Sequence, residues 1–222
     1  MRTSSITIAL VGSTGAIGHQ VLQLLNNESR VDRIITFTRK PNLNKLSKEE
    51  NHVIDFNQLA ALDGQIKADV FICCLGTTIK AAGSQAGFKK VDLDYVVEFG
   101  KLAETVSAQK FLVVSSLGAD ANSTIFYSRI KGEMENELKK LKLPSLEIFQ
   151  PSLLIGARTE SRPGESFAQF LTPIINPFLQ GLLKKYRPIK ITDVARAICL
   201  RALSTDQKKI TYSSDQIKDL IS

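Results

Sequence analysis

The sequence predicts a doubly wound α/β fold in which helices cover both faces of a parallel sheet. Short runs rich in Val, Ile, Leu and Phe alternate with stretches of helical periodicity over the first 150 residues, which is the pattern of βαβ units. These apolar runs are nearly continuous, as expected of strands that are buried on both sides. At 222 residues the chain fits one domain, because a single hydrophobic core stops growing near roughly 250 residues.

The predicted elements follow one another in a regular order. Strands are predicted at 6–11, 33–38, 52–55, 69–75, 110–116 and 145–150. Helices are predicted at 16–27, 92–108 and 124–141, where apolar residues recur at helical spacing. An apolar stretch broken by two prolines predicts a small C-terminal substrate lobe over about 151–190. A helix from Asp193, a strand KKITYSS and a last helix capped by Ser214 complete the prediction for residues 1–222.

Composition and charge limit the classes of function. With 43% hydrophobic and 23% charged residues, the chain is neither disordered, collagen-like nor a coiled coil. A net charge of +7 favours phosphate-bearing ligands, but the basic clusters lack the interleaved aromatic residues that stack on nucleic-acid bases. The first apolar run is too short for a signal peptide or a membrane span. Three cysteines without metal-binding spacing fit a reducing compartment, so we expect a cytoplasmic protein without a metal, membrane or nucleic-acid partner.

A glycine-rich motif, GSTGAIG at 12–18, lies where the first predicted strand passes into the first helix. Gly12 permits a tight turn, Gly15 lets backbone N–H groups approach a pyrophosphate, and Gly18 allows the helix and strand to pack closely. The N-terminus of the helix adds partial positive charge. The motif therefore predicts dinucleotide binding and a Rossmann-type sheet. The alternative is a simple glycine-rich turn.

The second predicted strand ends in FTRKP, with Arg39 and Lys40 next to its end. NAD-specific proteins typically carry an acidic residue here, which accepts hydrogen bonds from the ribose 2′-hydroxyl. A guanidinium can instead pair bidentately with a 2′-phosphate. This position therefore favours NADP(H) over NAD(H). The alternative is a pair of solvated charges at a strand end.

Tyr127 and Lys131 form a YxxxK motif in a predicted helix, after Ser115 and Ser116 at the end of a strand. An ammonium on the same helical face stabilises the phenolate and so lowers the pKa of a tyrosine from about 10. That change suits the tyrosine to act as a general acid or base, while a strand-end hydroxyl holds the substrate carbonyl. The alternative is a half-buried helix tyrosine next to a surface lysine.

The chain holds a second copy of this spacing, formed by Tyr186 and Lys190. Pro188 lies inside that copy and prevents an uninterrupted helix with both side chains one turn apart. Only the first copy is therefore expected to have the required geometry.

Together these motifs resemble an atypical short-chain dehydrogenase/reductase, specifically the branch that includes the Tat-interacting protein family and its bacterial relatives. The more telling stretches are CLGTTIKAAGSQAGFKKVDLDYV at 74–96, SSLGADANSTIFYSRIKGEMENEL at 115–138 and QPSLLIGARTESRPGE at 150–165. The resemblance therefore covers most of the chain.

The resemblance implies a set of cofactor-binding residues. The dinucleotide phosphates would be bound by Gly12, Ser13, Thr14, Gly15, Ala16, Ile17 and Gly18, and the 2′-phosphate by Arg39 and Lys40. The adenosine side would be lined by Cys74, Leu75, Gly76 and Thr77, and the nicotinamide would be flanked by Gln150, Pro151 and Leu153. It also implies that Ser116 is the catalytic hydroxyl, that Tyr127 is the acid, and that Lys131 binds the ribose.

The sequence also departs from the family pattern. The segment after the fourth strand reads CLGTT instead of the Asn-rich loop of many short-chain dehydrogenases, so the proton relay that Asn supports there is not expected. Gln150 stands where relatives often have Arg. Nearby, the irregular segment with Arg158, Arg162 and Glu165 either meets an anionic substrate or is a solvated loop.

The predicted function is that of an NADPH-dependent oxidoreductase acting on a small carbonyl or alcohol compound. The expected partner is that small-molecule substrate, and a homodimer is compatible with the sequence. One alternative is an NADPH-binding interaction or redox-sensor protein with little turnover. Another is an enzyme similar to nucleotide-sugar epimerases, although the lobe is small for that class.

Overall fold

A computed structural model describes residues 5–62, 64–156 and 181–222. The strands, in chain order, are β1 (Ile6–Val11), β2 (Val31–Thr38), β3 (Glu49–Val53), β4 (Val70–Cys73), β5 (Lys110–Val114), β6 (Leu146–Gln150), β7 (Leu154–Ile155), β8 (Ile189–Lys190) and β9 (Lys209–Ser213). The α-helices are α1 (Ala16–Asn26), α2 (Ile79–Ala82), α3 (Gln85–Lys89), α4 (Tyr95–Thr105), α5 (Phe126–Lys139), α6 (Ile191–Leu203) and α7 (Ser214–Asp219). Short 3-10 helices span Phe56–Leu62 and Gly181–Tyr186, and a π-helical turn, Lys90–Asp94, joins α3 to α4.

The main sheet has seven strands in the order β3-β2-β1-β4-β5-β6-β9. Every neighbouring pair in it is parallel. The strand order reverses between β1 and β4, and in doubly wound sheets ligands bind in the crevice at the carboxyl ends of the strands beside such a reversal. The architecture confirms the predicted Rossmann-type α/β fold. β7 and β8 pair separately and are also parallel.

Two apolar cores lie on opposite faces of the main sheet. Strand β1 contributes to both, because alternate side chains point to opposite faces: Ile8 and Leu10 to one core, Ala9 and Val11 to the other. Helices α1 and α6 cover the first face, while α4 and α5 cover the second. Burial on both sides explains why the strands are nearly continuous in apolar residues.

Several predicted boundaries are wrong, and polar side chains are the reason in two cases. Strand β3 begins at Glu49 rather than at 52, because its buried carboxylate accepts a hydrogen bond from the Thr36 hydroxyl (2.8 Å). The helix predicted from 92 is preceded by α3, which starts where Ser84 Oγ accepts from the Gly87 N–H (3.0 Å). The last helix is capped by Ser213 instead of Ser214.

Other predicted bounds shift by one to three residues. Strands β4 and β5 end at Cys73 and Val114, so the residues that follow lie in the loops at the carboxyl edge of the sheet. Helix α6 begins at Ile191, two residues before the predicted start. Most of the predicted lobe lies outside the described residues, so its extent and the single-domain assignment of 1–222 stay predictions.

Candidate functional site

The glycine-rich motif forms a tight loop between β1 and α1. Gly12 has φ +80°, a left-handed conformation, and a Cβ there would lie 2.5 Å from the carbonyl carbon and oxygen of Cys74. A Cβ on Gly18 would lie 2.1 Å from the Gly12 carbonyl oxygen. Both distances are too short for any side chain, so the predicted roles of these glycines in the turn and in close packing match the geometry. The loop also lies at the strand reversal between β1 and β4.

The N-terminus of α1 is built to receive an anion. Gly15 is the N-cap and supplies no side-chain hydrogen bond, and the first turn contains no acidic residue. The backbone N–H groups of this turn and the helix dipole therefore stay available for a negatively charged group. The Gly15 N–H itself donates to the Gly12 carbonyl (3.0 Å) and closes the turn. This glycine cradle fits the pyrophosphate of a dinucleotide.

The other residues of the motif differ in what they can offer to a phosphate. Ser13 is buried, Thr14 is exposed and Ala16 is half-buried. Ile17 packs its side chain into the core beneath α1, so only its backbone can contribute to binding.

Arg39 and Lys40 are exposed directly after β2. Their turn is held by the Thr38 hydroxyl, which donates to the Lys40 carbonyl (2.7 Å) and accepts from the Asn51 amide (2.9 Å). Asn51 Oδ1 also accepts from the Asn42 N–H (2.9 Å), which ties the far side of the turn to β3. The Asn42 side-chain amide donates to both oxygens of the Glu49 carboxylate (3.0 Å each), so the turn is fixed without using Arg39 or Lys40. That both cations bind a 2′-phosphate stays a prediction.

The segment 74–77 leaves β4 beside the glycine loop. The backbone of Cys74 faces Gly12, and Leu75 packs against the core under α4 and α5. Gly76 is exposed, whereas the Thr77 N–H donates to Asp92 Oδ2 (2.9 Å). The segment therefore lies at the same edge of the sheet as the glycine loop, and its end is anchored by a carboxylate.

The same carboxylate binds Lys131. Asp92 Oδ1 lies 2.8 Å from Lys131 Nζ, and their side chains are only 1% and 4% exposed. Burial acts to lower the pKa of Lys131, but the nearby Asp92 carboxylate and Tyr127 outweigh it, so this pKa is raised from the ordinary value. Lys131 therefore carries its positive charge inside the protein. No motif in the sequence identifies Asp92, whose only signal there is an acidic residue among apolar ones in KKVDLDYV.

Tyr127 and Lys131 lie one turn apart on α5, as predicted. Tyr127 is half-buried, and its ring centroid is 5.6 Å from that of Phe88 on α3. The second YxxxK copy is different: Tyr186 ends a 3-10 helix, and Lys190 lies in β8. Only the first copy therefore places its tyrosine and lysine on a common helical face.

The two serines after β5 have different surroundings. Ser115 is buried, and its Oγ donates to Glu135 Oε1 on α5 (2.5 Å). Ser116 is half-buried, with its Oγ 3.4 Å from the Leu117 carbonyl oxygen. Ser115 is thus engaged inside the fold, which leaves Ser116 as the better candidate to meet a substrate. Glu135 was not identified from the sequence.

Gln150, Pro151 and Leu153 follow the carboxyl end of β6. The Gln150 amide donates to Glu135 Oε1 (2.8 Å), so its side chain is held by the same buried carboxylate as Ser115. Pro151 is buried, and its carbonyl accepts from the Leu117 N–H (3.0 Å). The Leu153 carbonyl accepts from the Ile189 N–H (2.9 Å). These residues lie at the correct edge of the sheet, and their proximity to a nicotinamide stays a prediction.

The loop after Ser116 lies directly on α5. A Cβ on Gly132 would be 2.1 Å from the Ala121 backbone nitrogen, so glycine is needed there for the loop to approach the helix. The Asp120 N–H donates to the Ser128 carbonyl in the first turn of the same helix (3.0 Å). Gly132 is a further residue of the site that the motifs did not reveal.

Three further sequence predictions concern the irregular segment after β7, metal binding and membrane spanning. Arg158, Arg162 and Glu165 lie outside the described residues. Within the described ranges, no cluster of three or more His, Cys, Asp or Glu side chains is arranged to hold a metal ion. None of the helices in the same ranges has the length and apolar character to span a membrane.

A family model described as HIM1 matches residues 21–179. The chain belongs to the HIM1 family. The rat protein HTATIP2, a Tat-interacting protein, is 34% identical over 174 residues, which cover 73% of this chain and 69% of that protein. Protein FMP52, mitochondrial, from Candida albicans is 32% identical over 220 residues, which cover 96% of this chain and 91% of that protein. The predicted resemblance to the Tat-interacting protein family is confirmed.

Solved structures of low sequence identity share the fold. The Bordetella bronchiseptica enzyme WbmG in complex with NAD superposes with a TM-score of 0.70 at 13% identity, covering 96% of this chain and 74% of that one. A UDP-N-acetylglucosamine 4-epimerase from Methanobrevibacter ruminantium gives a TM-score of 0.67 at 14% identity, covering 95% and 77%. This HIM1-family chain therefore has the Rossmann-like architecture found in NAD-bound structures.

The comparison with sequence relatives also shows that the prediction of a cytoplasmic protein is wrong. The relative from Candida albicans and another from Aspergillus niger, 32% identical over 184 residues, are both named as mitochondrial proteins. The prediction depended on cysteine content and on the short first apolar run. Cysteine content argues only for a reducing environment, so it could not distinguish one such compartment from another.

Proposed function

We propose that this HIM1-family protein is an NADP(H)-dependent oxidoreductase that acts on a small carbonyl or alcohol compound. The observation that carries the proposal is the pair of Tyr127 and Lys131 on one face of α5, with the lysine held in its charged form by Asp92. The Thr77 N–H on the same carboxylate links this pair to the segment beside the glycine loop. A charged lysine one turn from a tyrosine is the arrangement that supports proton transfer by the phenol.

The cofactor would be held by groups already described. The glycine cradle and the N-terminus of α1 bind the pyrophosphate, Arg39 and Lys40 bind the 2′-phosphate, and Lys131 binds the ribose. A nicotinamide dinucleotide supplies hydride transfer to or from the substrate carbon.

The chain's own residues manage the proton and the substrate oxygen. In the direction of reduction, the Tyr127 hydroxyl donates its proton to the carbonyl oxygen. The Lys131 ammonium then stabilises the phenolate that remains. Ser116 donates a hydrogen bond to the same oxygen and so orients the carbonyl, while Glu135 keeps Ser115 out of this role.

The cofactor preference is tested by fluorescence titration with NADPH and NADH. A charge-assisted contact contributes about 1.5–3 kcal/mol, so we expect NADPH to bind about ten- to a hundredfold more tightly than NADH. Arg39→Ala should remove most of that preference. Lys45→Ala is the matched control, because Lys45 is an exposed cation in the same loop. Equal affinities of the wild type for the two cofactors would contradict NADP(H) specificity.

The catalytic assignment is tested by NADPH oxidation with a panel of small carbonyl compounds. Tyr127→Phe removes only a hydroxyl, so it should abolish turnover and leave NADPH binding intact. Tyr186→Phe is the control and should change little. Activity that survives in Tyr127→Phe would overturn the assignment, and tight NADPH binding without turnover of any panel member would favour a sensor role instead.

A further inference from the structure

The Asp92 carboxylate connects two parts of the candidate site that are far apart in sequence. Its Oδ2 accepts from the Thr77 N–H at 2.9 Å, and its Oδ1 lies 2.8 Å from Lys131 Nζ. One side chain thus joins the segment after β4 to the middle of α5. Of the described residues, Asp92 is the one for which an ion pair with Lys131 is found.

Such a buried ion pair is a costly way to connect two elements. Removing both charges from water costs several kcal/mol for each ion, and apolar residues of similar volume often stabilise a fold equally well or better. Stabilisation of the fold alone therefore does not explain why the Asp92–Lys131 pair is buried. The position of Asp92 between the segment 74–77, which lies beside the glycine loop, and the YxxxK lysine on α5 points to a role in the site.

The local backbone is shaped to present this carboxylate. Asp92 lies in the π-helical turn Lys90–Asp94, which interrupts the helical run from α3 to α4. Turns of this kind inside helices are rare and occur frequently at functional sites. The neighbouring Asp94 is exposed, so two acidic residues of one turn have opposite environments.

The titratable groups that face Lys131 come from three elements. They are Asp92 in the π-helical turn, Tyr127 on α5 and Cys73 at the end of β4. Burial raises the pKa of the Cys73 thiol to about 12, so it is neutral at physiological pH. Asp92 is therefore the carboxylate that compensates the lysine charge.

We propose that Asp92 is a positioning residue that holds Lys131 against the segment 74–77. In this position the remaining N–H donors of the Lys131 ammonium face the ribose of the bound dinucleotide. An ammonium has three donors, and Asp92 accepts from one of them. The identity of the ligand rests on the proposed function, whereas the ion pair itself does not.

The proposal predicts a pH dependence that a purely structural contact would not cause. With Asp92 present, Lys131 stays charged across the neutral range, so NADPH affinity should change little between pH 7 and pH 9, where the 2′-phosphate is fully ionised. Asp92→Asn keeps the shape but removes the negative charge, so burial is no longer offset and the pKa of Lys131 falls. The affinity of this variant should then decline as the pH rises.

The experiment is a fluorescence titration with NADPH at pH 6, 7, 8 and 9. For Asp92→Asn we expect affinity about tenfold or more below that of the wild type at pH 9, and a much smaller difference at pH 6. Asp94→Asn, which removes the exposed carboxylate of the same turn, should follow the wild type. An Asp92→Asn curve parallel to the wild type at every pH would overturn the proposal.

The ligand-free protein provides a second readout. A double-mutant cycle of thermal unfolding compares Asp92→Asn in the wild type and in a Lys131→Met background. Asp92→Asn should lower the Tm much less in the Lys131→Met background, because the lysine charge that it would leave unpaired is absent there. Additive effects would overturn the ion-pair part of the proposal. If the wild type itself binds no NADPH, the proposed function fails together with the role of Asp92 toward the ribose. If it binds NADPH without turnover, only the oxidoreductase assignment fails.

Discussion

Arg201→Ala should strongly destabilise the fold near the amino ends of β5 and β6, whereas the candidate site lies at the carboxyl ends of the strands. Arg201 on α6 meets the fully buried Glu147 of β6 through two hydrogen bonds, Nε to Oε2 at 2.7 Å and Nη2 to Oε1 at 2.9 Å. The Tyr212 hydroxyl donates to the same carboxylate (3.1 Å), and Lys110 Nζ is 4.0 Å away. Truncation of the arginine leaves a buried carboxylate without its main partner.

The magnitude follows from that loss. Breaking a buried ion pair on one side costs about 3–5 kcal/mol. Because Tyr212 and Lys110 still face Glu147, we expect the lower end of this range, about 3 kcal/mol. For a chain of this size each kcal/mol lowers the Tm by about 2–4 °C, so the Tm should fall by about 6–12 °C.

The assay is thermal unfolding followed by circular dichroism at pH 7. Arg196→Ala is the control, because Arg196 is an exposed arginine on the same helix and should change stability by no more than about 0.5 kcal/mol. A triple variant, Lys110→Met with Glu147→Leu and Arg201→Leu, should recover part of the lost Tm, because the buried Lys110 ammonium also faces Glu147 and no unpaired charge is then left buried. A Tm for Arg201→Ala equal to that of Arg196→Ala would refute the reasoning.

Three further predictions concern the loop, the thiols and alkaline pH. Gly18→Ala places a Cβ 2.1 Å from the Gly12 carbonyl oxygen, so NADPH affinity should fall about tenfold or more in a titration; unchanged affinity would show that the loop does not bind the cofactor. Burial raises the pKa of both Cys73 and Cys199 to about 12, so an alkylating reagent at pH 8 should modify them only after unfolding, as peptide mass spectrometry can determine. Burial, with Glu147 adding to it, raises the pKa of Tyr212 to about 12. The neutral phenol therefore contributes stability that is complete below the pKa of the unfolded state, near 10, and is lost as the pH rises toward 12. Tyr212→Phe should lose less stability than the wild type when unfolding is measured between pH 10 and pH 12. Identical dependence of stability on pH in the two proteins would contradict this.

Local patterns in the sequence were sufficient for the fold class and for the placement of much of the candidate site. The run ITIALV followed by GSTGAIG identifies a buried strand, a turn and a helix start, because these residues interact with close neighbours in the chain. The spacing of Tyr127 and Lys131 identifies a shared helical face for the same reason. Pro188 likewise excluded the second YxxxK copy from a single helix, as observed.

Other features depend on residues that only the tertiary structure brings together. Strand β3 is polar in sequence, and its first residue, Glu49, is buried because Thr36 in the adjacent strand donates a hydrogen bond to it. Glu135 engages Ser115 from 20 residues away, which separates the roles of two adjacent serines that look equivalent in sequence. The spacing of residues along the chain does not predict hydrogen bonds between such distant side chains. A glutamate in a helix or strand is compatible with either a solvated or a buried position.

Asp92 illustrates this division most clearly. In sequence it is one of two acidic residues in VDLDYV, and nothing distinguishes it from Asp94. In the structure the π-helical turn buries Asp92 against Lys131 and Thr77 and leaves Asp94 exposed. The sequence by itself determined the order along the chain of the seven strands of the main sheet and the place of the glycine-rich loop between β1 and α1. The packing of α4 and α5 on the sheet decided which charges meet, because burial makes a charge depend on partners that are distant in the chain.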